Sequence, residues 1–294
     1  MRKFYQGLAL AAFAAALCLP VSVRAAEAQS TQQAAAQSTQ QKEAATDVKA
    51  GQEVTENGVV FKVYESKKGD GSLLFYAERF SAEQSGKAVE LSIPDSIMGT
   101  AVEGVSMKAF QNQKQLKKVT FGKNVKSIGE SAFEGCTGLE ELRLPDGLES
   151  LYNRSFADCT GIKSVVLPES LNQMDGGVFA NCTGLQEIKL PEKLSVVGGF
   201  NGCTGLKSVT IPQGAVCIET YAFAECSSLE TVIFPENCKV NDIRSHAFAN
   251  DSKLTGIKLP DTLELLGETA FGACSSLTEI TVPEKLTYIH NMTF

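Results

Sequence analysis

Nine cysteines give this chain thiols that could act as nucleophiles, metal ligands or disulfide partners. Six of them, Cys136, Cys159, Cys182, Cys203, Cys226 and Cys274, follow one another at 23, 23, 21, 23 and 48 residues, so they recur with a period instead of clustering. No C-x-x-C occurs and there are only two histidines, which leaves no zinc-site spacing. Cys217 and Cys238 stand outside the series and are the one pair expected to bridge. His246 and His290 each precede a phenylalanine by a few residues, with no acid or nucleophile organised beside them. G-x-S-x-G, H-E-x-x-H and a phosphate-binding glycine loop are all missing. Glu141, Glu187 and Glu279 recur at irregular intervals and read as a solvated face, not as a paired-carboxylate site. The expectation is a protein with no catalytic residues, no metal and no cofactor: not an enzyme.

A larger period positions these cysteines. Phe110, Phe133, Phe156, Phe179, Phe200, Phe223, Phe248, Phe271 and Phe294 lie 23, 23, 23, 21, 23, 25, 23 and 23 residues apart. Self-similarity in the twenties marks a solenoid. One copy shows the skeleton: Ile128, Ser131-Ala132-Phe133, Cys136, Leu139, Leu142, Leu144-Pro145, Leu148 and Leu151. The L-x-x-L-x-L triplet returns in every copy, as Leu116/Val119/Phe121 through Leu277/Ile280/Val282, and Pro follows it except at Gly122. Alternation around its last two apolar positions predicts a short strand with one buried face. Stacked copies make a parallel sheet, Pro ends each strand, and the phenylalanine plugs the middle of the coil. A single repeat has too little apolar surface to stand alone, so stability comes from its neighbours.

The pattern L-x-x-[IV]-x-[LI]-P-x-x-[LV]-x-x-[IL]-x-x-x-A-F-x-x-C resembles the BspA-type class of leucine-rich repeats, found in secreted and surface proteins of host-associated bacteria and some protists. It runs from Ile93 to Phe294 in eight full copies. Copy five is short by two residues around Gly198-Gly199-Phe200, copy six is long by two around Asn237 to Asp242, and Gln113 and Asp251 replace two of the cysteines. The resemblance implies that the cysteine position faces inward, where a thiol reaches backbone carbonyls. Side chains on parallel coils point the same way, so a mostly reduced ladder is expected. It also implies adhesion: similar proteins bind host matrix and plasma proteins such as fibronectin and fibrinogen.

Residues 1–25 read as a secretory signal, with basic Met1-Arg2-Lys3, an apolar run from Leu8 to Leu19 and Val23-Arg24-Ala25 before the cut. That run is short of the roughly 18 apolar residues of a membrane span, and none other approaches it. Leu17 is too large for a lipobox before Cys18, and Leu259-Pro260-Asp261-Thr262 lacks the glycine of a sortase signal. The chain is therefore expected to be secreted or at the cell surface. Residues 26–56 repeat Ala-Gln-Ser-Thr-Gln-Gln at 28–33 and 36–41 and read as a disordered linker. Residues 57–104 read as an N-terminal β cap with a hairpin around Lys67-Lys68-Gly69-Asp70-Gly71. Residues 105–294 are the repeats, whose uncapped end suggests a longer natural protein. The fold class is thus a leucine-rich-repeat solenoid with a parallel sheet on one face, irregular turns on the other and a hairpin cap. The whole chain carries −7; removing Arg2, Lys3 and Arg24 with the signal gives −10, a poor balance for binding nucleic acid.

The outward strand residues are the expected contact surface. Lys118, Glu141, Arg143, Glu187, Lys189, Lys258 and Glu279 form a candidate protein-binding strip, with Glu141 and Glu187 set among the basic residues. No aromatic residue lies on it and the chain has no Trp, so a broad protein contact fits better than a small-ligand pocket. The leading function is a protein-binding, adhesive module; the other is a structural spacer that presents another domain.

Overall fold

The computed structural model describes residues 48–290 and 292–294. The signal segment 1–25 and linker residues 26–47 lie outside the described residues. Lys49–Phe294 is one unit of short strands and turns.

The unit opens with β1 (Glu53–Glu56), β2 (Val59–Glu65) and β3 (Leu73–Phe80), paired antiparallel in that order. Between β1 and β2 stand only Asn57 and Gly58, with φ of 49° and 77°, the left-handed pair that a two-residue hairpin turn needs to match strand twist. This strand lies inside the 26–56 segment assigned to linker. Its polar sequence Glu-Val-Thr-Glu buries little by itself and is held by backbone pairing to β2. The hairpin expected around residues 67–71 is formed by β2 and β3. Phe61, Val63, Phe75 and Ala77 turn inward and are buried.

Two parallel ladders make the solenoid. The first follows the L-x-x-L-x-L strands: β4 (Glu90–Ile93), β7 (Lys118–Phe121), β9 (Glu141–Arg143), β11 (Ser164–Val166), β13 (Glu187–Lys189), β15 (Ser208–Thr210), β17 (Thr231–Ile233), β19 (Gly256–Lys258) and β21 (Glu279–Thr281). These strands follow one another along one face and pair in four groups, β4 with β7 and β9, β11 with β13, β15 with β17 and β19 with β21. Within each group pairing is in register, for example Val119 to Leu142 and Val165 to Ile188. After each strand from β9 onward, Pro starts a tight turn closed by the N–H three residues on, as in Leu148 to Pro145 at 3.0 Å. The second ladder occupies the side expected to be irregular: β6 (Thr100–Val105), β8 (Ser127–Ile128), β10 (Ser150–Leu151), β12 (Gln173–Met174), then β14 (Val196–Val197), β16 (Cys217–Ile218), β18 (Asp242–Ile243) and β20 (Leu265–Leu266). It breaks between β12 and β14, beside the shortened turn at Gly198-Gly199. β5 (Ser96–Ile97) pairs antiparallel with β6, and β3 pairs parallel with β6, which docks the cap on the first coil.

The plugs tie the coils together. Each Phe N–H from Phe110 to Phe271 donates to the carbonyl just before the next plug, at 2.8 to 2.9 Å. Phe110 through Phe271 are fully buried. Successive rings from Phe133 to Phe271 lie 5.2 to 5.7 Å apart and within 9° of parallel. Phe179 and Phe200 keep this stack at 5.7 Å across the shortened copy, so the lost residues come out of the turn and not out of the core. The two extra residues of copy six are absorbed similarly: the Thr262 hydroxyl donates to the Val240 carbonyl at 2.6 Å and lies 3.1 Å from that of Cys238.

Candidate protein-binding face

In a strand of three residues the middle side chain goes into the coil, so its two neighbours must point out. Every residue of the candidate strip therefore stands on the first ladder. Lys118, Glu141, Glu187 and Glu279 share one column; Arg143, Lys189 and Lys258 share the other. Glu141 and Glu187 thus stand beside Arg143 and Lys189 on the same rungs, while Lys118 precedes Glu141 in the acid-bearing column and Glu279 lies one rung past Lys258. Lys118 Nζ reaches Glu141 Oε2 at 3.3 Å across one rung. Arg143 and Lys189 are separated by Val166, and Lys189 and Lys258 by Thr210 and Ile233. At about 4.8 Å per rung, the three basic groups are spread over about 24 Å of ladder. None of the three has an ion-pair partner among the described residues.

The strip omitted its apolar members. Val166 is 66% exposed and Ile233 46%, and both stand in the basic column. The signal was present in the sequence: each occupies the outward place of a strand where its neighbours hold Thr, Arg or Lys. The face therefore offers a column of cation, apolar group, cation, hydroxyl, apolar group and cation beside an acid-bearing column. Such a pattern suits a protein surface of mixed polarity.

The cysteine ladder lies on the inner side of the turn after the plug. Cys136 donates its thiol to the Phe110 carbonyl at 3.1 Å, and Cys159, Cys182, Cys203, Cys226 and Cys274 repeat the contact to Phe133, Phe156, Phe179, Phe200 and Phe248 at 3.1 to 3.2 Å. Burial pushes the Cys136 and Cys203 thiols up to about 12 and that of Cys274 to about 11. Such thiols are protonated at neutral pH and make poor nucleophiles and poor metal ligands. All eight described cysteines are free and buried. The expected Cys217–Cys238 bridge is not formed: Cys217 sits in register with Asp242, its Sγ 3.6 Å from the carboxylate, while Cys238 belongs to the turn four residues earlier. A thiol reagent should accordingly titrate none of these eight groups in the folded protein within minutes and all of them in denaturant. Rapid native labelling at ladder positions would contradict this packing.

The two substituted ladder positions differ in kind. Gln113 turns toward the cap, where its Oε1 accepts the Gly86 N–H at 3.0 Å. Asp251 stays inside, fully buried. His246 stacks on Tyr221 at 4.7 Å with its Nδ1 buried and without a hydrogen-bond partner, and His290 stands edge-on to Tyr288. Among the described residues no three His, Cys, Asp or Glu side chains converge on a point that could hold a metal ion, and no helix is long and apolar enough to cross a membrane.

The family described as BspA type leucine rich repeat region matches residues 103–200 and 198–294. No curated protein matches the chain. Among solved structures, the leucine rich repeat protein of T. pallidum, TpLRR, is 25% identical, with 77% of this chain and 91% of that one covered at a TM-score of 0.59. A leucine-rich repeat protein from Bacteroides ovatus is 19% identical over 79% of this chain and 89% of its own, with a TM-score of 0.46. The pneumococcal vaccine antigen PcpA is 17% identical over 81% and 83%, with a TM-score of 0.42. With its triplet strands, stacked phenylalanines and repeat match running together through residues 103–294, the chain belongs to the BspA-type leucine-rich-repeat family.

Proposed function

We propose that this chain is a secreted or cell-surface module that binds protein through its first-ladder face, and that its role is adhesion to host matrix or to other cells. One observation carries the reading: Val166 and Ile233 stand exposed among Arg143, Lys189 and Lys258, none of which has an ion-pair partner among the described residues. Desolvating two β-branched side chains against a partner is favourable, and unpaired cations around them give orientation and speed of encounter. The surface is open and ribbon-like, which favours an extended or multivalent contact. The buried ladder thiols, held protonated, make poor nucleophiles, which supports a binding role.

Binding of the purified full chain to immobilised fibronectin and fibrinogen, at two salt concentrations and beside a charge-matched control protein, tests the proposal. Saturable binding that weakens with salt is the expected result. The triple variant Arg143→Glu, Lys189→Glu, Lys258→Glu should bind at least about tenfold more weakly, at roughly 0.5 kcal/mol per rim contact. Unchanged binding by that variant would move the contact to another face.

A further inference from the structure

The cap overhangs the first ladder at its N-terminal end and leaves a recess of about 250 Å³. Its apolar lining comes from Val59, Phe80 and Ala88, each almost fully buried. Its rim includes Glu90 and Lys118, which face each other in register across β4 and β7, and Gln84. Gln84 is closely seated: it crosses Gly58 of the Asn-Gly turn so tightly that a Cβ there would meet Gln84 Cγ at 2.5 Å. The recess is therefore built by the junction of cap and coil.

Volume and charge together select its occupant. Pockets for free ligands usually enclose about 300–1,000 Å³, so this recess suits a single side chain delivered by a larger partner. On the rim, Lys118 pairs with Glu141, 3.3 Å away and one rung on, while Glu90, one rung before it, has no ion-pair partner among the described residues. Two carboxylates for one ammonium leave an excess negative charge, on a chain whose formal charge is already −7. We infer that this recess receives an arginine or lysine side chain of a protein partner, with its methylene stem over Val59, Phe80 and Ala88 and its cationic head at Glu90 and the Gln84 amide oxygen. Long basic side chains divide in this way between apolar surface and charge. A partner so anchored would lie along the same face as Arg143 and Val166. The identity of the occupant as part of a protein rests on the protein-binding reading, whereas the chemistry of the recess does not.

A titration of the full chain with Nα-acetyl-argininamide, followed by methyl-resolved NMR, tests the recess without any protein partner. The Val59 and Ala88 methyl signals should shift saturably. Nα-acetyl-norleucinamide, which has the stem without the charge, should bind more weakly, and an Nα-acetyl-glutamate amide should not displace the arginine probe. Glu90→Gln, an exposed change that spares the core, should weaken the arginine probe about fivefold, the size of one exposed ion pair. Thr120→Tyr, which crowds the mouth from the β7 strand, should abolish the methyl shifts. Equal affinity for arginine and norleucine probes, preference for the glutamate probe, or shifts that ignore Glu90→Gln would each overturn the assignment. Since these readouts use single amino-acid derivatives, a failed recess and a failed matrix-binding assay remain separate results.

Discussion

Phe156→Ala should lower the stability of the repeat unit by about 3–5 kcal/mol, whereas Val166→Ala on the exposed face should cost less than about 1 kcal/mol. Phe156 is fully buried, with one ring stacked 5.2 Å away at Phe133 and another at 5.6 Å at Phe179. Truncation removes both contacts, each worth about 0.5–1.5 kcal/mol beyond area burial, and opens a cavity between coils that are hydrogen-bonded on either side. The backbone ladder fixes those coils at their spacing, so the space cannot collapse. Val166 is 66% exposed and points away from the core on the outer face of β11. A solenoid transmits stability through nearest neighbours, so weakening a central interface also lowers cooperativity. Urea unfolding followed by far-UV circular dichroism should therefore show a lower midpoint and a broader or split transition for Phe156→Ala. Equal costs at the two positions would mean that the stack is not what couples the coils.

The same redundancy explains what the sequence made legible. Phe133 and Leu142 recur in one role in each coil and Pro145 in all but the first, so pattern placed the strands and the plugs, while the resemblance to the repeat class turned the cysteines inward. The second ladder escaped because strands such as Ser127–Ile128 are too short to show any alternation. β1 escaped for another reason. Glu-Val-Thr-Glu carries one apolar residue and looks like linker, although the Asn57-Gly58 pair that follows is a strong hairpin signal. Cys217 and Cys238 looked pairable because they lie in adjacent coils, but the residue facing Cys217 is decided by register, and the two-residue insertion puts Asp242 there. On the candidate face, charge drew attention to Arg143 and Lys189. Val166 between them was legible as an outward residue from the strand alternation, yet it carries no charge and so was left out of the strip, although it is 66% exposed.

Asp251→Cys should stabilise the unit, and by much more at pH 8 than at pH 5. Asp251 holds a ladder position with no solvent exposure; its Oδ1 accepts the Cys226 N–H at 2.8 Å, while Oδ2 is buried without a partner. Burial pushes its carboxyl up from 3.8 to about 9. The folded state thus keeps a proton that the unfolded chain releases above pH 4. Stability then falls as pH rises through the interval between those two values, by up to about 1.4 kcal/mol per pH unit, because the unfolded state binds fewer protons. Between pH 5 and pH 8 this one group is worth at most about 4 kcal/mol. A cysteine restores the neutral thiol found in six other coils and removes that slope, while Asp251→Asn keeps the acceptor for Cys226 and supplies an amide donor where Oδ2 stands. Other titrating groups cancel in the difference between variant and parent, so unfolding free energies of all three proteins at pH 5, 6, 7 and 8 isolate the effect. The gain of both variants should grow steadily with pH. A gain that stays constant across the series would show that the carboxyl ionises freely in place, through water or a local opening of that coil, and that burial is not what governs it.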